Sequence, residues 1–152
     1  MATITLTSEN HDETVKDGIV LIDFWAAWCG PCRSFAPIFE RASDKHRDVT
    51  FAKVDTEDQN ELAARYGISS IPTLVIYRDG IPLFAQPGAL PEAVLEDLVT
   101  QTRALDMDEV RTTYAEQVST QQRAWGVARP QSPGDRGSAT ARRTAGATSA
   151  AN

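Results

Sequence analysis

Cysteine is scarce in this sequence: there are two among 152 residues, Cys29 and Cys32, three positions apart. A pair so closely spaced closes almost no loop, so it cannot stabilise a chain of this length as the disulfides of small secreted proteins do. The pair is therefore a redox centre, half of a metal site, or two buried thiols without chemistry. The choice among these three interpretations decides the function.

Long apolar runs are also missing. The longest, Gly18–Ile22, ends at Asp23 and is far shorter than the about 20 apolar residues that a membrane-spanning helix needs. The first residues, MATITLTSEN, contain neither the basic nor the apolar segment of a secretory signal. We therefore expect a cytoplasmic protein without a membrane partner.

Positive charge is in deficit, because 15 Lys and Arg face 21 Asp and Glu and leave a net charge of −6. Nucleic-acid binding depends on neutralising phosphates, so this balance argues against a nucleic-acid partner. From Arg129 onward the sequence has no aromatic or large aliphatic residue, and four Arg against one Asp give a local charge of +3. Such a segment cannot bury enough apolar area to offset its ordering entropy, so residues 127–152 are predicted to be a disordered basic tail.

Residues 1–106, in contrast, alternate between strand-like and helix-like periodicity. Strands are predicted at Thr3–Leu6, Ile19–Trp25, Val49–Val54, Thr73–Tyr77 and Ile81–Ala85. Helices are predicted from Thr7 or Ser8 to about Lys16, at Cys32–His46, at Glu57–Tyr66 with Asp55 or Thr56 as its cap, and from near Pro91. This order predicts one α/β domain, a central mixed sheet with helices on both faces.

A further helix is predicted at residues 107–126, where apolar residues recur at helical intervals. The stripe consists of Met107, Val110, Tyr114, Val118 and Trp125. We expect this amphipathic extension to pack on its own domain, with a partner or a second copy of the chain as the alternative.

The two cysteines belong to the run Trp28-Cys29-Gly30-Pro31-Cys32, which lies between a predicted buried strand and an amphipathic helix. The N-terminus of a helix carries unpaired amide N–H groups and a partial positive charge, which favour a thiolate. Cys29 is therefore predicted to be the exposed nucleophile and Cys32, one turn into the helix, to resolve the mixed disulfide. Pro31 suits the first helical turn.

The metal interpretation is weaker. A structural zinc site needs four ligands, and the sequence offers His11 and His46 as the additional nitrogen donors. Neither lies at ligand spacing from the cysteine pair, so no metal is expected.

The stretch Asp23–Cys32, DFWAAWCGPC, resembles the thioredoxin family. The tripeptides Ile71-Pro72-Thr73 and Gly88-Ala89-Leu90 and the turn Tyr77–Gly80 match at corresponding spacings, so that the resemblance covers roughly residues 3–105. It implies the thioredoxin fold.

The resemblance also implies roles for residues around the cysteine pair. Asp23 matches a buried carboxylate behind Cys32 that relays a proton by way of water, and an apolar strand should raise its pKa. Lys53 matches a lysine that approaches this carboxylate. Pro72 matches a cis-proline facing the disulfide, which leaves the Ile71 backbone free to pair with an extended substrate.

A flat apolar docking patch for client proteins is implied as well. Its members are Trp28, Gly30, Pro31, Ile71, Pro72 and Gly88. Ala27, Ser34 and Pro87 depart from the commonest family pattern near the rim of this patch, which puts partner preference in question but not the reaction class.

The predicted function is thiol–disulfide exchange that reduces protein disulfides through Cys29 and Cys32, with no cofactor besides this pair. Gly30-Pro31 between the cysteines favours the reducing end of the family, and the resemblance implies recycling by an NADPH-dependent thioredoxin reductase. Two alternatives stand beside it. One is a chaperone-like client-binding module that would still bind after both cysteines become Ser, and the other is an electron donor dedicated to one enzyme through the C-terminal extension.

Overall fold

A computed structural model describes residues 2–124. The elements follow in the order β1 (Ile4–Thr5), α1 (His11–Val15), β2 (Ile19–Trp25), α2 (Gly30–Lys45), β3 (Thr50–Asp55), α3 (Asn60–Arg65), β4 (Thr73–Arg78), β5 (Ile81–Pro87), α4 (Glu92–Ala104) and α5 (Met107–Ala124). The predicted strands and helices are therefore present.

The strands form one sheet in the order β1-β3-β2-β4-β5. β1, β3 and β2 run parallel, whereas β4 pairs antiparallel with both β2 and β5. β2 lies at the centre of the sheet and is apolar except at Asp23, as expected for a strand covered on both faces. This mixed sheet with flanking helices confirms the predicted fold class.

Side chains alternate between the faces of β2, and each face has its own apolar core. Leu21 packs with Phe35 and Phe39 of α2 and with Leu95 and Val99 of α4. On the opposite face, the neighbouring residues of β2 pack with Leu6, Val15 and Leu62. The sheet is therefore the middle of three layers.

Two helices begin later than predicted, whereas α2 begins two residues earlier, at Gly30 instead of Cys32. Helix α1 begins at His11 after the cap residue Asn10, because Thr7 and Asn10 bond to each other: Asn10 Oδ1 accepts from the Thr7 amide at 2.7 Å. Helix α3 begins at Asn60, because the Asp55 carboxylate accepts from the Glu57 amide at 2.9 Å and closes a turn instead of capping a helix. In both places a turn closed by a side-chain hydrogen bond precedes the helix, so the helix begins later in the sequence.

The contacts of the chain divide it after Met107, so that a second unit begins at Asp108 within helix α5. Met107, the last residue of the first unit, is buried. Trp125 and the predicted disordered tail at 127–152 lie outside the described residues. Among residues 2–124, none of the helices combines the length and the hydropathy that a bilayer span requires.

Candidate functional site

The cysteine pair lies where β2 ends and α2 begins. Cys29 and Cys32 are joined in a disulfide, and Cys29 is the N-cap residue of α2. Its Sγ accepts a hydrogen bond from the Cys32 amide at 3.2 Å. A sulfur atom in this position faces the positive end of the helix, so a thiolate formed there is stabilised.

The expectation that Cys29 is exposed is wrong for this oxidised form. Cys29 is 4% exposed and Cys32 is 2% exposed, so exposure hardly separates the two. Both pack in a cluster with Ala26, and the partly buried side chains of Trp25 and Ile71 pack against this cluster. The two cysteines differ instead in their place on the helix, because only Cys29 occupies the cap.

The Ile71–Pro72 loop lies against the disulfide. The Ile71–Pro72 peptide bond is cis, the geometry that the resemblance implies. Cys29 Sγ is 3.7 Å from the Ile71 carbonyl oxygen, and the Gly88 amide donates to the Pro72 carbonyl at 2.7 Å. Gly88 has a φ of 104°, which an L-residue rarely adopts, so glycine suits this place. Ile71, Pro72 and Gly88 are therefore gathered beside Cys29.

Trp28 stands out from the surface beside the cysteine pair, with 67% of the residue exposed. Its indole Nε1 donates to Glu57 Oε1 at 2.7 Å, which fixes the ring although it is open to solvent. Next to it lies an open groove of about 470 Å³. Its lining includes Thr56, Ala63, Ile68 and Ile71.

Sequence reasoning missed Glu57. A signal for it existed, because Glu57 follows β3 and Trp28 follows β2, and these strands are parallel neighbours. The carboxyl ends of parallel strands meet at one edge of the sheet, so residues after them lie close together.

Asp23 is fully buried in β2. Alternation along the strand places it on the face of Leu21 and Trp25, toward α2 and the disulfide. Neither carboxylate oxygen has a hydrogen-bond partner among the described residues. Burial raises the pKa of Asp23 to about 7, while the charge of Lys53 lowers it and that of Glu40 raises it. A carboxyl with this pKa can both accept and return a proton near neutral pH.

Lys53 is the sheet partner of Asp23 on β3, in the parallel pair of β2 and β3. Its Nζ is 4.0 Å from Glu40 Oε1 and 4.8 Å from the centre of the Trp25 ring. The anion with which Lys53 pairs is thus Glu40 of α2, which sequence reasoning missed. Helical spacing could have identified Glu40 from the sequence, because Glu40 follows Cys32 by two turns on one face of α2.

The two histidines considered as metal ligands lie elsewhere. His11 contacts Asp12 and the Tyr66 hydroxyl, and His46 Nε2 lies 2.6 Å from Glu96 Oε2. Within residues 2–124, no group of three or more potential ligand side chains is arranged to hold a metal ion.

Several known proteins are similar to this chain. A family model described as Thioredoxin matches residues 2–101. A Streptomyces coelicolor protein assigned the name thioredoxin 2 is 60% identical over 117 residues, which cover 76% of this chain and 87% of that protein. A thioredoxin of Alicyclobacillus acidocaldarius is 44% identical over 97 residues, covering 62% of this chain and 92% of that protein. Among solved structures, the thioredoxin Mala s 13 of Malassezia sympodialis has a TM-score of 0.60 at 34% identity and covers 66% of this chain and 93% of that one.

Proposed function

The chain belongs to the thioredoxin family of thiol–disulfide oxidoreductases, and from this premise we propose how its residues divide the work of reducing protein disulfides. The reacting pair is Cys29 and Cys32. The observation that carries the proposal is the position of Cys29 Sγ at the cap of α2, where it accepts the Cys32 amide.

Cys29 is the nucleophile. In the reduced protein its thiolate, stabilised by the helix N-terminus, attacks one sulfur of a client disulfide. A bond forms between Cys29 Sγ and that sulfur, the client S–S bond breaks, and the other client sulfur leaves as a thiolate that takes up a proton. The product is a mixed disulfide between Cys29 and the client.

Cys32 then resolves the mixed disulfide. Asp23 accepts the proton of the Cys32 thiol, and the resulting thiolate attacks Cys29 Sγ. The bond to the client breaks, the Cys29–Cys32 disulfide forms, and the proton held by Asp23 returns to the departing client sulfur. Two electrons have passed from the pair to the client, which leaves with two thiols. The positive charge of Lys53 lowers the pKa of Asp23 and so affects how readily Asp23 gives up this proton.

The client docks on the loop beside Cys29. The Ile71 backbone pairs with an extended client segment, and Pro72 and Gly88 shape the surface around it. Trp28 adds an exposed indole, fixed by Glu57, against which apolar client side chains pack. Gly30 and Pro31 separate the two cysteines, and this dipeptide favours the reducing end of the family.

Thioredoxins in general work through a redox-active disulfide without a cofactor, act on disulfide clients and are reduced by thioredoxin reductase. We extend this to the chain: its reductant is an NADPH-dependent thioredoxin reductase, it needs no further cofactor, and it works in the cytoplasm. A client-holding module and an electron donor dedicated to one enzyme are not favoured by the comparisons.

Reductase-coupled turnover tests the proposal. The full chain is supplied with NADPH, a bacterial thioredoxin reductase and a protein with accessible disulfides, and NADPH consumption is followed. We expect turnover with the wild type and none with Cys29→Ser. If the wild type fails with reductase but turns over with a small dithiol, the proposed reductant is wrong; if it fails with both, the proposed direction of the reaction is wrong.

A further inference from the structure

Behind the disulfide lie two acidic side chains and one basic side chain, and the proposed reaction uses one of the acidic ones and the basic one directly. Asp23 and Lys53 are sheet partners on β2 and β3, and Glu40 lies above them on α2. The side chains of Lys53 and Glu40 are largely buried, at 21% and 20% exposure. Charges held so far from solvent are weakly screened, so their arrangement affects the proton affinity of Asp23.

Glu40 is itself held in place. Its Oε1 accepts a hydrogen bond from the Thr3 hydroxyl at 2.8 Å and lies 4.0 Å from Lys53 Nζ. The Thr3 bond ties this carboxylate to the N-terminal segment, while α2 fixes its backbone. Lys53 therefore has a preformed anionic partner other than Asp23.

We propose that Glu40 is a positioning residue for the acid–base step, because its carboxylate draws the Lys53 ammonium into an ion pair and so prevents Lys53 from neutralising Asp23. Without Glu40, the ammonium would be free to pair with the Asp23 carboxylate. An Asp23 paired in that way would stay ionised at lower pH and would bind its proton more weakly. The like charge of Glu40 acts in the same direction, since it disfavours a second carboxylate nearby.

The titratable groups that face Asp23 come from two elements. β3 contributes Lys53, and α2 contributes Glu40 and Cys32, which does not titrate while the disulfide is intact. On β4 the partner of Asp23 is Leu74, and α4 packs on this face of the sheet with Leu95 and Val99. The charges on Lys53 and Glu40 therefore set the electrostatic environment of Asp23.

The inference rests on the proposed role of Asp23, but it is tested without measuring turnover. The Asp23 carboxyl is followed by its ¹³C chemical shift in the oxidised full-length protein across pH 4–9. In Glu40→Gln, we expect the midpoint of the Asp23 titration to fall by about one pH unit. The matched control is Asp44→Asn, which removes the same charge one helical turn further along α2 and should leave the midpoint in place.

A double-mutant cycle separates the pairing from the simple charge effect. In the Lys53→Met background, Glu40→Gln should shift the Asp23 midpoint by less than half as much as in the wild type, because the ammonium that Glu40 holds is gone. An equal shift in both backgrounds, or no shift in Glu40→Gln, would overturn the proposal.

Folding and reactivity are controlled separately. If Glu40→Gln does not fold, Thr3→Val replaces it, because this variant keeps all three charges and removes the hydrogen bond to Glu40. We expect a smaller downward shift of the Asp23 midpoint in Thr3→Val. No shift would count against the proposal. In single-turnover reduction of a protein disulfide by these variants, the pH at which the rate is half-maximal should shift together with the Asp23 midpoint. If the Asp23 midpoint moves while the pH dependence of the rate does not, Glu40 acts on Asp23 but Asp23 takes no part in the reaction.

Discussion

Asp23 is a carboxyl that the fold buries completely, with a pKa of about 7 against an ordinary value of 3.8. The folded chain therefore binds this proton more tightly than the unfolded chain does. Between pH 4 and pH 7 the native state holds more protons, so stability falls as the pH rises through this window. The difference in pKa corresponds to about 4 kcal/mol, lost by the time Asp23 is fully ionised.

Replacing Asp23 by Asn should remove this pH dependence. In urea unfolding of the oxidised proteins, the wild type should lose a large part of the about 4 kcal/mol between pH 5 and pH 9, whereas Asp23→Asn should change much less. At pH 8 the variant should be as stable as the wild type or more so, since a buried charge has gone. A variant less stable than the wild type at pH 8 would show that Asp23 stabilises the fold.

The same variant tests the reaction. Reduction of a protein disulfide by Asp23→Asn should be slower by about tenfold or more near neutral pH, because the base proposed for Cys32 is removed. The wild-type rate should also rise with pH through about 7. Equal rates for the two proteins from pH 6 to pH 9 would exclude Asp23 from the mechanism.

Sequence reasoning predicted those site residues that belong to recognisable motifs or that are unusual where they stand. Cys29 and Cys32 come from one short run, and Asp23 is a charge inside an apolar strand. Glu40 and Glu57 escaped prediction because acidic residues on helices and loops are common at protein surfaces. Their importance depends on which side chain lies opposite, Lys53 or Trp28, and this follows from packing between elements that are distant in the sequence.

Helix α4 ends against a side chain from β4. Arg78 Nη1 donates to the carbonyl oxygens of Thr102, Arg103 and Leu105, at distances of 2.8, 3.3 and 3.2 Å. These carbonyls lie at the C-terminal end of the helix, where backbone acceptors lack partners and negative charge accumulates. One guanidinium thus caps α4 and fastens it to the sheet.

Loss of this cap should be measurable. Arg78→Ala should lower the free energy of unfolding by about 1–2 kcal/mol, because charge-assisted hydrogen bonds to the last carbonyls of α4 are lost, one of them partly buried. The matched control is Arg47→Ala, since Arg47 is largely exposed and forms an ion pair with Asp44 within one turn. Urea midpoints that are equal for the two variants would mean that Arg78 does not stabilise α4.

The sequence predicted the boundaries of some strands and helices better than those of others. β2 matched the predicted range because its residues are apolar except at Asp23 and because the strand ends just before the cysteine pair. Helices α1 and α3 began later than predicted, because Asn10 and Asp55 use their side chains in turns before the helix starts. Residues that cap helices also close turns, so composition alone could not distinguish the two uses.

The reaction should require the first unit of the chain only. The contacts divide the chain after Met107, and Met107 is buried, so a truncation after this residue keeps the first unit whole. We expect the truncated protein to fold and to reduce a generic protein disulfide at a rate within about twofold of the full chain, because the proposed site residues run from Asp23 to Gly88. A folded truncation that fails to reduce the substrate would place the extension in the active site.

The predicted division into residues 1–106, 107–126 and 127–152 stays a prediction. Helix α5 covers most of the second range, from Met107 to Ala124. Periodicity sufficed to predict this helix, since apolar residues at helical intervals need no knowledge of the rest of the fold. Whether the extension packs on its own domain or on a partner or second copy of the chain depends on surfaces that a periodic pattern does not describe.

In the proposed reaction, Cys29 attacks the client disulfide and Cys32 resolves the mixed disulfide. The most direct test of these roles is to incubate full-length Cys32→Ser and Cys29→Ser with a protein disulfide and to separate the products without reductant. We expect a stable mixed disulfide through Cys29 in Cys32→Ser and almost none in Cys29→Ser, because Cys29 Sγ alone caps α2. Trapping chiefly through Cys32 would contradict it.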